Sequence, residues 1–135
     1  MELDWEFMEE TLPKVWAGAG VTMELTLLSL LLALPIGFYL AVIRLHGCKT
    51  LQGIVRSYVS FVRGTPIVLQ ILLLYSLLPS VLNVLVQAMG WQINIFEAVD
   101  PFWYAVVVFT INTVALLAEV FRSALNSIPK GQMEA

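Results

Sequence analysis

The chain has 135 residues, of which 59% are hydrophobic and 13% are charged, and its formal net charge is -3. A soluble domain carries about 25% charged residues, so this chain has too few charges to cover a soluble surface of its size. Its few basic residues do not form the patch that nucleic acid requires, and no nucleic-acid partner is expected. One cysteine, Cys48, and one histidine, His46, exclude an intramolecular disulfide and give no support to a metal site.

The first membrane-spanning helix is predicted over residues 21–43, after an acidic lead over residues 1–20. The lead carries Trp5 and Trp16, and tryptophan is enriched where a membrane meets water. We predict a short interfacial helix in the lead, limited by Pro13. The span itself rises about 34 Å at 1.5 Å per residue, enough to cross a hydrocarbon core of about 30 Å.

A basic segment over residues 44–65 follows the first span. Between its charges, apolar residues recur at roughly helical spacing, which indicates an amphipathic helix. We predict that this helix lies along the membrane surface and leads into the next span.

The second span is predicted over residues 66–89, which contain no charged residue. Pro79 leaves two arrangements open. Either it kinks one long helix, or the span ends near Leu78 and a second interfacial helix covers residues 80–89.

A polar connector over residues 90–101 precedes the third span. Asp100 followed by Pro101 is typical of a helix start, with Asp100 as the N-cap. The third span is predicted over residues 102–120, and residues 121–135 form a polar tail.

The orientation follows from the lysines and arginines, which stay on the cytoplasmic side. Six of the seven lie in residues 44–65 or in the tail, and Lys14 alone lies in the lead. The sequence therefore predicts an all-α, polytopic membrane protein with about three transmembrane helices. Its N-terminus lies outside and its C-terminus lies in the cytoplasm.

The run Arg63-Gly64-Thr65-Pro66 is the sharpest local feature. Thr65 can cap a helix whose first residue is Pro66, and Gly64 permits a tight turn. By itself the run also fits an ordinary helix entrance, with Arg63 as an anchor. Gln70, one turn further on, is a polar group in an apolar span and needs a partner, either along a pathway or on another helix.

Glu119 is an ionisable residue near the end of the third span, which makes it a functional candidate. Two interpretations stay open, because an ion pair with Arg122 at the i, i+3 spacing explains it equally well. Asn112 and Thr113 in mid-span either bond neighbouring helices or line a polar route. The tail fits a short helix that docks into another protein, or a solvated end.

These motifs together resemble one known family, the permease subunits of ABC transporters for polar amino acids of the histidine, glutamine and arginine type. Three parts carry the resemblance, in this order along the chain: Gly20-Val21-Thr22 with Leu25-Thr26-Leu27; Arg63-Gly64-Thr65-Pro66 with Gln70; and Ala118-Glu119-Val120-Phe121-Arg122-Ser123-Ala124-Leu125 followed by Ile128-Pro129 and Gly131-Gln132-Met133-Glu134-Ala135. The second and third parts together are specific.

The resemblance implies a permease in a bacterial inner membrane that pairs with itself or with a sister subunit. An external solute-binding protein delivers the amino acid, and separate subunits bind ATP, so this chain needs no cofactor and hydrolyses nothing. The resemblance makes gating candidates of Arg63, Gly64, Thr65, Pro66, Gln70, Glu119 and Arg122. It places Gly131, Gln132, Glu134 and Ala135 in a coupling loop that fits a groove of the ATPase.

The family's coupling motif continues for several residues and about two further spans follow it, whereas this sequence stops at Ala135. We therefore expect the chain to match the N-terminal portion of a permease. The alternative is a small membrane adaptor or assembly protein that transports nothing, or an inactive truncated relic. A membrane enzyme has little support, since no nucleophile–base pair is visible.

The predicted orientation can be tested at Cys48. In intact cells we expect no reaction with a membrane-impermeant thiol reagent, because the basic segment that holds Cys48 lies inside. The same reagent should label Cys48 after permeabilisation. Ready labelling in intact cells would contradict the orientation.

Overall fold

The computed structural model describes residues 2–129 and 131, and all regular structure within them is helical. The helices are α1 (Trp5–His46), α2 (Lys49–Gly64), α3 (Ile67–Ala88), α4 (Ile95–Ala98) and α5 (Pro101–Asn126). Helices α1, α3 and α5 are long and apolar enough to cross a membrane. The predicted all-α fold with three spans is confirmed. The bounds of the spans relative to a bilayer, and their orientation, stay predictions.

The acidic lead and the first span form one helix, so the prediction that Pro13 limits a separate helix is wrong. α1 has 42 residues and contains both Pro13 and Pro35. A proline removes only its own hydrogen bond, and the flanking residues keep theirs. The carboxylate of Asp4 caps the start by accepting from the Phe7 N–H at 3.1 Å. At about 63 Å, α1 is roughly twice as long as a hydrocarbon core is thick.

α1 packs lengthwise against α5 through a stripe of small residues. Every fourth residue of this stripe is buried: Ser29, Ala33, Gly37 and Ala41. Small side chains let two helix backbones approach closely, which is the common way that helices associate in a membrane. The approach is tightest at Gly37, where a Cβ atom would lie 2.9 Å from the Cβ of Leu117.

α2 does not lie across the ends of the other helices, as a surface helix would. Its buried valines form one core cluster with Ala115 and Ala118 of α5. The Tyr58 hydroxyl donates to the Ile111 carbonyl in the middle of α5. Because α2 begins just after α1 ends, it must run antiparallel along the C-terminal half of α5. The valine stripe therefore finds its apolar partner along α5, and the placement of α2 at a membrane surface stays a prediction.

α3 is a single helix through Pro79, which is buried. Of the two arrangements left open for residues 66–89, the structure shows the continuous one, and no separate helix covers residues 80–89. Gly90 ends it with φ of 81°, a left-handed conformation that glycine adopts at little cost. At the start of α5, the Asp100 carboxylate accepts from the Phe102 N–H at 2.9 Å, which confirms the predicted N-cap.

Replacing Gly37 with alanine should destabilise the protein by about 1–3 kcal/mol, because the new methyl group forces α1 away from α5. Gly20→Ala is the matched control in the same helix, since nothing lies within 4 Å of its added Cβ. The free energy of unfolding in mixed detergent measures both. Equal stability of the two variants would contradict the close packing at Gly37.

Candidate functional site

The junction between α2 and α3 is the first polar site in the bundle. Thr65 does not cap α3, contrary to the sequence prediction. Its hydroxyl donates backwards to the Phe61 carbonyl at 2.7 Å. α3 begins at Ile67, with Pro66 in extended conformation as its N-cap residue and without a side-chain cap. Threonine at the end of a helix can bond the preceding turn, and here that local bond replaces the cap.

Gln70 closes this junction from the first turn of α3. Its side-chain amide donates to the Val62 carbonyl at 3.2 Å and to the Thr65 carbonyl at 3.1 Å. Its amide oxygen accepts from the amide of Asn112 on α5. Asn112 also donates to the Val108 carbonyl at 2.9 Å. Of the two roles expected for Gln70, the structure shows the bond to another helix.

At the break, Pro66 has no N–H to offer to the Val62 carbonyl, which instead accepts from the Thr65 N–H at 3.4 Å. In lipid an unsatisfied backbone carbonyl costs several kcal/mol, so a broken helix needs local partners. The Gln70 amide gives the Val62 carbonyl a second donor and the Thr65 carbonyl a donor, and it is itself held by Asn112. We call the set of Val62, Thr65, Gln70 and Asn112 the junction site.

Glu119 is the centre of the second polar site, which we call the charge site. One carboxylate oxygen accepts from Arg122 Nη2 at 2.9 Å and Arg122 Nε at 3.3 Å. The other accepts from Arg44 at the end of α1. The three side chains are mostly buried, with exposed fractions of 13% for Arg44, 19% for Glu119 and 31% for Arg122. Two arginines on one carboxylate tie the C-terminal parts of α1 and α5 together.

Sequence reasoning anticipated the Arg122 contact and missed Arg44, which is 75 residues away from Glu119. One signal was available, since both residues stand next to a predicted cytoplasmic end of a span. Thr113 bonds within its own helix, to the Phe109 carbonyl at 2.6 Å.

The remaining predicted residues lie apart from both sites. Arg63 and Gly64 are exposed. Gly64 is the last residue of α2 and has no positive φ, so its turn-forming freedom is not used. Gly131 is exposed, with open space around its Cα. Gln132, Glu134 and Ala135 lie outside the described residues.

Three apolar helices joined by buried amide and ion-pair contacts define an integral membrane protein that spans its membrane more than once. The family comparison is more specific. Residues 33–135 match the model of the binding-protein-dependent transport system inner membrane component. The chain belongs to this family of transport components.

Curated relatives are similar in sequence to this chain along its whole length. It is 33% identical over 135 residues to the arginine transport system permease protein ArtQ of Bacillus subtilis. It is equally similar, at 33%, to the glutamine transport system permease protein GlnP of Escherichia coli K12. The match covers 100% of this chain and 56% of each relative, so the chain spans about half of their length.

A solved structure has the same fold. The crystal structure of an amino acid ABC transporter with histidines matches with a TM-score of 0.73 and 26% identity. The match covers 99% of this chain and 56% of that one. The arrangement of helices described above is therefore similar to that of part of an amino acid ABC transporter chain.

Gln70→Leu should cost about 1–3 kcal/mol of stability, because it removes the side-chain donor from the Thr65 carbonyl and one of the two donors from the Val62 carbonyl. Gln87→Leu makes the same chemical change at an exposed position of the same helix and should be close to neutral. Unfolding in mixed detergent compares the two variants.

Adding Asn112→Leu to Gln70→Leu completes a double-mutant cycle. We expect Asn112→Leu to lower the free energy of unfolding by less in the Gln70→Leu background than in the unchanged chain. In that background the hydrogen bond between the two amides is already lost. Strict additivity would show that they do not interact.

Proposed function

We propose that the chain forms membrane-spanning permease structure in an ATP-driven importer of polar amino acids, in a bacterial cytoplasmic membrane. The observation that carries this proposal is likeness over the full chain to permeases named for arginine and glutamine transport. The family match and the fold of an amino acid ABC transporter support it.

The importer works by alternating access, in which two packings of the helices differ by a modest free energy. Separate ATP-binding subunits bind and hydrolyse the nucleotide, and an external solute-binding protein delivers the amino acid. The permease pairs with itself or with a sister chain. It carries no cofactor of its own.

The fold suggests which parts move together. α1 and α5 pack tightly through small residues and share the charge site, so they form one stiff unit. α3 is packed less against the other helices, since only 11% of its most apolar 18-residue stretch is buried. The proline break before α3 is the natural place for a change of angle between α2 and α3.

Coupling to ATP is assigned to the segment after α5, with Gly131, Gln132, Glu134 and Ala135 in a groove of the ATPase. α5 ends at Asn126, shortly before this segment, and carries Glu119 and Asn112 in its own body. A displacement of this segment is therefore transmitted through α5 to both the junction site and the charge site.

Transport can be tested on the protein as its own gene encodes it. It is co-expressed with a candidate ATP-binding subunit from the same organism and reconstituted in vesicles with a candidate binding protein. We expect ATP-dependent uptake of a labelled polar amino acid, with L-arginine, L-glutamine and L-cystine as probes. Stable insertion without any co-purifying ATPase, together with no uptake, would contradict the proposal and favour the adaptor.

Gly131→Asp should abolish uptake while membrane insertion and basal ATP hydrolysis stay intact. The surrounding space is open, so the added side chain does not disturb the described structure, but it places a bulky charge at the ATPase contact. Gly131→Ala is the matched control and should retain most of the uptake. Unchanged uptake in Gly131→Asp would remove Gly131 from the contact.

A further inference from the structure

The charge site carries more positive charge than its one acid neutralises. Arg44 and Arg122 both bond to the carboxylate of Glu119, and two cations against one anion leave a net charge of +1. Residues 25–96 contain no acid, and Glu119 is the only one in residues 101–129. The three side chains are only 13%, 31% and 19% exposed, so water surrounds this charge in part. A surplus charge that is partly removed from water favours a bound counter-ion.

The two guanidinium groups also have N–H donors left over. Each guanidinium has five such donors. Glu119 takes one nitrogen of Arg44 and two nitrogens of Arg122. Within residues 2–129 neither arginine side chain bonds to another acceptor, and no nitrogen of either one is buried without a partner. A ligand from outside these residues can therefore reach unused donors on two arginines that flank one carboxylate.

The charge site lies where the apolar runs of α1 and α5 end. The first predicted span ends at residue 43 and the third at residue 120, so Arg44 and Arg122 follow these ends by one and two residues. The predicted orientation puts both ends at the cytoplasmic surface. The phosphate groups of phospholipids lie at this level, just outside the hydrocarbon core. A phosphate is therefore the anion that the membrane itself supplies beside the charge site.

We propose that the charge site binds the phosphate group of an anionic phospholipid in the inner leaflet. Arginine bonds a phosphate with two parallel hydrogen bonds, as it bonds a carboxylate. Phosphatidylglycerol has one negative charge in all, which neutralises the surplus of the site. Phosphatidylethanolamine has the same phosphate group, but its ammonium group brings a positive charge to a site that already has a surplus. Basic sites between helices on the cytoplasmic side select anionic headgroups in this way.

A lipid bound here acts on the contact between α1 and α5. Arg44 lies in the last turn of α1 and Arg122 lies in α5, so a phosphate that bonds to both joins the same two helices as Glu119 does. The lipid thereby strengthens this contact at its cytoplasmic end, close to the segment to which coupling is assigned. The inference stands apart from the transport proposal, because a lipid can bind whether or not the chain transports anything.

Two other anions have a compatible chemistry, and the experiment separates them from the lipid. Inorganic phosphate offers the same group without acyl chains. An acidic side chain of a partner subunit offers a carboxylate, and a site reserved for it has no preference among lipids.

Lipid binding can be measured by native mass spectrometry on the purified protein, as its own gene encodes it, in detergent. Phosphatidylglycerol and phosphatidylethanolamine with the same acyl chains are titrated separately, and inorganic phosphate is added as a competitor. We expect phosphatidylglycerol to bind about fivefold more tightly, the factor for one charge near a membrane surface. Equal affinity for the two lipids overturns the proposal. Displacement of the lipid by an equal concentration of inorganic phosphate overturns it as well, in favour of a free anion.

Arg122→Gln should lower the affinity for phosphatidylglycerol about tenfold, because it removes a charged donor from the site. Arg56→Gln removes the same charge from an exposed position of α2 and is the matched control, which should keep most of the affinity. Arg122→Lys keeps the charge without the planar pair of donors, so it should restore part of the loss. Equal losses in Arg122→Gln and Arg56→Gln would show that the lipid responds to positive charge in general, and the specific site is then wrong.

Glu119→Gln separates lipid binding from a purely structural ion pair. Without the carboxylate the surplus rises to two positive charges, so the affinity for phosphatidylglycerol should rise severalfold. An ion pair that only ties α1 to α5 loses stability in this variant and gains no lipid. A folded Glu119→Gln protein with unchanged or lower affinity therefore contradicts the proposal.

Thermal unfolding of each variant without lipid shows whether a loss of binding is a loss of fold. If Glu119→Gln does not fold, the comparison of Arg122→Gln with Arg56→Gln decides by itself. These measurements need neither uptake nor ATP, so a failure here is distinct from a failure of the transport proposal.

Discussion

The break between α2 and α3 imposes the constraint on which much of this structure depends. Pro66 interrupts a helical path beside the middle of α5, and lipid offers no water to the carbonyls that the break leaves free. The Gln70 amide satisfies two of these carbonyls and is oriented by Asn112. Four hydrogen-bonding groups from three helices thus make an interrupted span tolerable.

α5 is the common partner of the bundle, because α1, α2 and α3 all pack against it. Asn112 and Glu119 are seven residues apart, so they lie on the same side of this helix about two turns from each other. One amide therefore connects α5 to the break, and one carboxylate connects it to the end of α1. A rotation or shift of α5 therefore changes both contacts together.

Much of the architecture was predictable, because it depends on properties of short stretches of sequence. Apolar runs long enough to cross a membrane identify three spans, and the Asp100 cap and the Glu119–Arg122 pair involve residues within one turn. Two other local predictions failed. Pro13 lies inside α1, because a helix can continue past the one backbone hydrogen bond that a proline removes. Thr65 bonds backwards, because a threonine hydroxyl can bond the preceding turn as well as cap a helix.

The sequence by itself determined the class of fold, the number of spans and the family, since hydrophobic length and short motifs are written in consecutive residues. Only the tertiary structure decided which polar groups meet. Gln70 and Asn112 are 42 residues apart, and Arg44 and Glu119 are 75 apart. It also decided that the buried face of α2 packs against α5, which the amphipathic pattern by itself does not specify. The pattern records which face is apolar, whereas packing against α5 sets what each face meets.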